Sequence, residues 1–249
     1  MPVVKVGNIN MYYEIHGKGE PLVLIHGAGL ETSTVGPLIQ MFTSKYKVVS
    51  IDNRGVGRTD KPDEPYSIEM MAEDTVDLLN IIGIKKAHFI GSSMGGRIAQ
   101  VIAVKHPEMV KGLILTATAA RVSSSMKTEL EIALKTPELW EEMFKESAVL
   151  FTQMYPPTRD SFYRQFVATV EFDGKDQLNQ IKAPTLIING TKDYTIPREC
   201  TEELAREIPN SKLILVEGDH LFAAVNIDLL VKPAIEFFEE FDARSALKA

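Results

Sequence analysis

Apolar residues in this chain follow two rhythms that alternate along its length. Short, nearly continuous runs rich in β-branched residues predict strands at 22–25, 46–52, 87–90, 111–117, 183–189 and 211–217. Residues 22–25 are apolar throughout, as expected of a strand covered by helices on both faces. Between such runs the spacing becomes helical. Ile68, Met71, Ala72, Val76, Leu79 and Ile82 share one face, with Ser67 placed to cap the helix, Glu69 in its first turn and Gly83 at its end. A last helix carries Ile227, Leu230, Val231, Ile235, Phe238 and Phe241, and residues 242–249 read as a polar tail. At the other end, 3–9 and 10–16 predict two antiparallel strands joined near Gly7-Asn8, with His16 in the loop that follows. Strands alternating with helices predict an α/β domain with a mostly parallel sheet.

From about Ser123 to Gln180 the rhythm changes. No strand pattern occurs there, and helical runs at 127–135, 137–151 and 159–170 are broken by Tyr155-Pro156-Pro157 and Asp173-Gly174. The apolar residues of this stretch, among them Trp140, Met143, Phe144, Phe151, Met154, Tyr155, Phe162, Tyr163 and Phe166, exceed what single helical faces need. Most are expected to pack, and some to line an apolar pocket. The organisation expected is therefore a core in two parts, 1–122 and 181–249, interrupted by a helical segment at 123–180.

Composition narrows the class. A length of 249 residues suits one α/β domain with an insertion. The formal charge of −7 argues against nucleic acid as a partner, since phosphate binding needs clustered Lys and Arg. The single cysteine, Cys200, excludes an intrachain disulfide and is expected to be structural, in a helix starting near Pro197. With no signal-peptide pattern and no apolar run near the ~20 residues that span a bilayer, a cytoplasmic protein without a membrane partner is expected. Its partner would be a small-molecule substrate, and it would be a monomer or small homo-oligomer.

The chemistry centres on Gly91-Ser92-Ser93-Met94-Gly95, where an apolar strand runs straight into a helical pattern. Ser93 then sits on a turn so tight that the flanking positions need almost no side chain, which Gly91 and Gly95 supply, with its hydroxyl projecting above the first helical amides. Two later strands end in suitable partners: 183–189 leads to Asp193, and 211–217 leads through Gly218-Asp219 to His220. Upstream, 22–25 leads into His26-Gly27-Ala28-Gly29, a turn whose free amides can face the same point. His88 and His106 lack metal-ligand spacing and are expected to be structural, so no metal is expected.

Taken together, His26-Gly27-x-Gly29, Asp52-x-Arg54-Gly55-x-Gly57, Gly91-x-Ser93-x-Gly95, Asp193 and Gly218-x-His220 resemble the α/β-hydrolase family nearly end to end. The resemblance is to its compact branch of carboxylesterases, enol-lactonases, carbon–carbon bond hydrolases and cofactor-free haloperoxidases. It implies a mostly parallel eight-stranded sheet flanked by helices, with 123–180 inserted as a helical cap. It implies Ser93 as nucleophile, His220 as base and Asp193 as the orienting acid, with Asp219 the rival acid. The amides of Met94 and Ala28 would form the oxyanion hole, Ala28 being chosen over Gly29 by analogy. Gly29, Trp140, Phe144 and Leu221 are candidate substrate-binding positions. The Asp52–Arg54 loop braces the site in the family, and Thr59 stands where many relatives have serine. No metal or organic cofactor is implied.

The activity implied is hydrolysis of carboxylic esters of small, largely apolar substrates through an acyl-enzyme. A serine at this turn argues against the dehalogenase and epoxide-hydrolase branches, which use aspartate. An enol-lactonase, a carbon–carbon bond hydrolase or a lyase like that of the menaquinone pathway, which Ser93-Met94-Gly95-Gly96-Arg97 also resembles, would act on a charged substrate. Such a substrate wants a cation, for which Arg97 and Arg121 are available, with Arg159 and Arg164 in the inserted segment. Haloperoxidase side activity and a non-catalytic small-ligand receptor are further alternatives.

Overall fold

The computed structural model describes residues 2–150 and 153–246. In chain order the elements are β1 (Val3–Val6), β2 (Ile9–His16), β3 (Glu20–Ile25), α1 (Gly36–Phe42), β4 (Tyr46–Ile51), α2 (Ile68–Ile81), β5 (Ala87–Ser92), α3 (Met94–Lys105) and β6 (Val110–Thr116). Then come α4 (Ser124–Lys135), α5 (Pro137–Leu150), α6 (Arg159–Glu171), β7 (Thr185–Gly190), α7 (Arg198–Glu207), β8 (Ser211–Val216), α8 (Phe222–Val225) and α9 (Asp228–Ala246).

Among the described residues eight strands form one sheet in the order β1-β2-β4-β3-β5-β6-β7-β8. The pairs β1–β2 and β2–β4 are antiparallel and all the others parallel. The central strands read as continuous apolar runs because both faces are covered. In β3, Val23 and Ile25 point into one buried cluster with α2 and α3, whereas Leu22 and Leu24 point into the other with α1 and α9. Each such fully buried aliphatic side chain contributes roughly 1.5–3 kcal/mol.

Register is what builds the site. Ile25 pairs with Gly91, Ser92 with Thr116 and Gly190 with Val216. The carboxyl ends of β3, β5, β7 and β8 therefore share one edge of the sheet, and the loops that leave them carry Ala28, Ser93, Asp193 and His220. In open α/β sheets this is the edge where ligands bind. Between β6 and β7 the described residues hold α4, α5, α6 and a 3-10 turn at Lys175–Gln180, with one isolated bridge from Arg121 to Asp173. No helix among the described residues is long and apolar enough to cross a membrane.

The structure departs from the sequence reading at three places. His16 is the last residue of β2, paired with Val48, and its ring meets the Glu14 carboxylate at 2.7 Å. The expected polar tail begins as helix: α9 runs to Ala246 with Pro233 inside it. Asp242 anchors this end, meeting Lys111 at 3.0 Å and the buried His88 at 3.4 Å. The short helix α8 carries no period of its own, so the apolar pattern does not reveal it. Phe151 and residues 247–249 lie outside the described residues.

Candidate active site

Because β5 ends at Ser92 and α3 starts at Met94, a single residue must turn the chain. Ser93 does so with φ 53° and ψ −117°, a conformation that costs on the order of 1–3 kcal/mol for a residue with a side chain. Its surroundings hold it there. The Ser93 N–H donates to the Thr116 carbonyl at 3.0 Å, and the Ser93 carbonyl accepts from the Gly96 amide at 3.0 Å and the Thr118 hydroxyl at 2.7 Å. A Cβ on Gly95 would lie 2.1 Å from the Ile25 carbonyl oxygen, and one on Gly91 would lie 2.5 Å from that of Gly95. The glycines flanking the serine are thus required by close backbone approach.

His220 faces this turn from the loop after β8. Its Nδ1 lies 2.9 Å from Asp193 Oδ2 and its Nε2 lies 3.2 Å from Ser93 Oγ. A carboxylate only accepts, so Nδ1 carries the proton and Nε2 is left as the acceptor for the serine hydroxyl. Asp193 is held in turn, its other oxygen accepting from the Thr195 and Ile196 amides at 2.9 and 2.8 Å. The two loops are also tied to each other, the Lys192 amide donating to the Gly218 carbonyl at 2.8 Å. The rival acid is spent elsewhere: Asp219 Oδ1 accepts from the Leu221 amide at 2.8 Å. Chemically the series can pass a proton from Ser93 to His220 while the aspartate keeps the imidazole oriented.

The turn after β3 closes with Leu30 N–H on the Gly27 carbonyl at 3.2 Å. Gly29 has φ 74° and Ala28 no positive φ, so this is a type II turn with Ala28 and Gly29 at its centre. The Gly29 amide is occupied, donating to Gln165 Oε1 at 2.7 Å. That leaves the half-buried Ala28 as the turn's candidate donor. Met94 is buried and opens α3, where its N–H has no helical carbonyl to bond.

The loop after β4 braces the turn. Buried Asp52 accepts from the Thr32 amide at 2.7 Å and the Arg58 amide at 2.9 Å, and Thr59 donates to the Asp52 carbonyl at 2.7 Å. Burial raises the Asp52 pKa, against the pull of the Arg58 and Thr32 bonds. Arg54 grips Asp74 with two bonds, 2.6 and 2.8 Å, and reaches Glu64 at 2.9 Å. His26 meets Ser50 Oγ at 2.7 Å, and burial pushes its pKa down to about 4, so the ring is neutral.

The other predicted positions fall differently. Trp140 and Phe144 on α5 stack among Phe162, Tyr163 and Phe166 of α6, contacts that knit the two helices together. Leu221 stands 38% exposed beside His220. Arg97 is buried on α3 and donates to the Thr169 carbonyl, burial taking its pKa down to about 10. Arg121 pairs with Glu203 at 3.1 Å, Arg159 with Glu141 at 2.9 Å, and Arg164 with Asp63. Each guanidinium on offer to a substrate carboxylate already has a protein acceptor.

Two residues of this neighbourhood escape the sequence reading. Gln165 on α6 and Gln153 in the loop before it both reach the turn after β3. The legible signal is Gln165 itself, an uncharged polar residue on the helix stripe shared by Phe162 and Ala168.

A model of the alpha/beta hydrolase fold matches residues 20–153, more than half the chain. The chain belongs to the α/β-hydrolase family and is a hydrolase of it. A protein named "Putative carbamate hydrolase RutD" from Azorhizobium caulinodans is 28% identical, over 97% of this chain and 100% of the relative. The enol-lactonase of Burkholderia xenovorans superposes with a TM-score of 0.84 at 24% identity, covering 96% of this chain and 100% of that one. A thermophilic esterase from Thermogutta terrifontis gives 0.83 at 24% identity, covering 97% and 99%. At these identities the solved structures speak for the fold.

Proposed function

We propose that this hydrolase cleaves carboxylic esters of small, largely uncharged substrates by way of an acyl-enzyme on Ser93. His220 takes the serine proton as Oγ attacks the carbonyl carbon, and returns it to the departing alcohol oxygen. Asp193 holds the imidazole and stabilises its charged form; water, deprotonated by the same imidazole, then releases the acid. The Met94 and Ala28 amides receive the oxyanion, a contribution of roughly 3 kcal/mol per donor. The helical segment between β6 and β7 acts as a cap, and Gly29 and Leu221 belong to the walls around the substrate. No metal or organic cofactor enters this chemistry.

The observation that carries the reading is the continuous series from Asp193 through His220 to Ser93, at 2.9 and 3.2 Å, ending on a strained serine. The engagement of Arg97, Arg121, Arg159 and Arg164 with protein acceptors favours an uncharged ester over a carboxylate-bearing lactone or lyase substrate. A second reading, hydrolysis of a carbamate, is favoured by the name of the Azorhizobium relative and uses the same attack on a carbonyl carbon.

The test is turnover of a p-nitrophenyl ester series of increasing acyl length, beside a p-nitrophenyl carbamate, by the wild type and Ser93→Ala. Ester turnover that disappears in the variant is expected. Carbamate cleavage faster than that of every ester would favour the second reading. Ligand binding without turnover of either would leave a receptor.

A further inference from the structure

We propose that Gln165 is a positioning residue of the oxyanion hole, through which the inserted helices set the catalytic geometry of the core. The proposal rests on the acyl-transfer reading above. Gln165 lies on α6, is fully buried, and has both ends of its amide occupied. Oε1 accepts from the Gly29 N–H at 2.7 Å, and Nε2 donates to the Arg54 carbonyl at 2.7 Å. One side chain of the insertion therefore bridges the turn after β3 to the bracing loop after β4. The two partners, one a donor and one an acceptor, also dictate which way round the amide sits.

The bridge acts on a particular peptide. Gly29 N–H belongs to the central peptide of the type II turn, the unit whose rotation converts this turn into type I. Gln165 fixes that peptide by its N–H. Gln153, in the loop before α6, donates to the Gly29 carbonyl at 2.7 Å and accepts from the Glu31 amide at 2.9 Å. Both polar backbone atoms of Gly29 are thus held by side chains of the insertion. Glu31 adds a third tie, its carboxylate accepting from the Tyr155 amide at 2.9 Å.

Two consequences follow. Gly29 cannot serve the oxyanion while Gln165 holds its amide, so the turn's donor is Ala28. The direction of the Ala28 N–H is then inherited from a turn whose shape Gln165 maintains. An apolar residue of similar size would fill the same space on the stripe shared with Phe162 and Ala168. A buried glutamine is tolerated there only because both of its ends are bonded.

The experiment compares the wild type with Gln165→Leu, Gln165→Glu and Ser93→Ala, using a p-nitrophenyl ester as substrate. A boronic acid that forms a tetrahedral adduct with serine serves as transition-state analogue. Gln165→Leu is expected to lower kcat by about 100-fold with KM changed less than threefold, the cost of misplacing a catalytic group by about an ångström. Affinity for the boronic acid should fall in parallel with kcat/KM. In Gln165→Glu the protonated carboxyl offers the same acceptor and donor, so its kcat relative to the wild type should rise as pH falls. This pH readout also serves if the leucine variant does not fold. A relative kcat near one for both variants, or a loss confined to KM with boronic-acid affinity intact, would overturn the proposal while Ser93→Ala remains inactive. Wild-type turnover in Ser93→Ala would instead overturn the acyl-enzyme reading, and the proposal with it.

Discussion

Asp193→Asn exchanges one oxygen for an NH2 group and should remove most turnover while leaving the fold intact. Oδ1 accepts from the Thr195 and Ile196 amides at 2.9 and 2.8 Å, so the oxygen kept by asparagine belongs there. Turned the other way, its NH2 would confront two N–H groups and leave both without an acceptor, at about 1–3 kcal/mol each. The NH2 therefore faces His220 Nδ1, which must become an acceptor, and the ring proton moves to Nε2. A protonated Nε2, 3.2 Å from Ser93 Oγ, cannot take the serine proton. The bias toward the wrong tautomer, summed over the two amides, is about 2–6 kcal/mol. The same exchange in another serine triad lowers kcat by about 10⁴, or about 5 kcal/mol, near the top of that range. The assay is kcat/KM on a p-nitrophenyl ester, with thermal unfolding as the check on structure and Asp219→Asn as the control. Asp219 bonds the Leu221 amide, so its variant should stay within about threefold of the wild type. An Asp193→Asn enzyme within tenfold of the wild type, or an Asp219→Asn enzyme equally damaged, would refute the reasoning.

Strain, buried charge and proton linkage each yield a further prediction. Ser93→Gly should raise the unfolding free energy by about 1 kcal/mol in a urea titration while abolishing activity, because glycine adopts φ 53° without strain. Asp74→Ala leaves the buried Arg54 guanidinium with Glu64 alone and should cost about 3 kcal/mol, read from the denaturation midpoint. His26 has a folded pKa of about 4 against an ordinary 6.5, so the unfolded chain binds its proton more readily. Its contribution is fully present above pH 6.5 and is lost as pH falls toward 4, about 3 kcal/mol in all. His26→Gln should flatten the stability profile across that window, and an unchanged slope would show that His26 titrates normally when folded.

What the sequence displays and what it conceals differ by range. The strands are legible because β3, β4, β5 and β7 are buried on both faces and so write their burial as nearly continuous apolar runs. Ser93, Asp193 and His220 are legible because each lies within a few residues of a strand's end, β5 closing at Ser92, β7 at Gly190 and β8 at Val216. Gln165 is not, because its partner Gly29 lies 136 residues away and the helix stripe records only that a polar residue interrupts it. Arg97 shows the same limit: nothing local distinguishes a substrate cation from one buried against the Thr169 carbonyl. The end of α9 reads as tail because its composition is polar, whereas Asp242 is held by Lys111 and His88 across the sheet edge. The choice of Asp193 over Asp219 stands on loop geometry, and the two carboxylates do point to different partners.

The central claim is that Ser93 is the nucleophile, and covalent labelling addresses it whatever the natural substrate. The folded protein would be incubated with a fluorophosphonate, weighed intact by mass spectrometry and digested to map the adduct. With Ser93 as nucleophile, one phosphonyl group per chain is expected, on the peptide bearing Ser93, with no adduct on Ser93→Ala and slow labelling of Asp193→Asn. A wild-type chain that stays unlabelled, or carries its adduct on another residue, would contradict that claim.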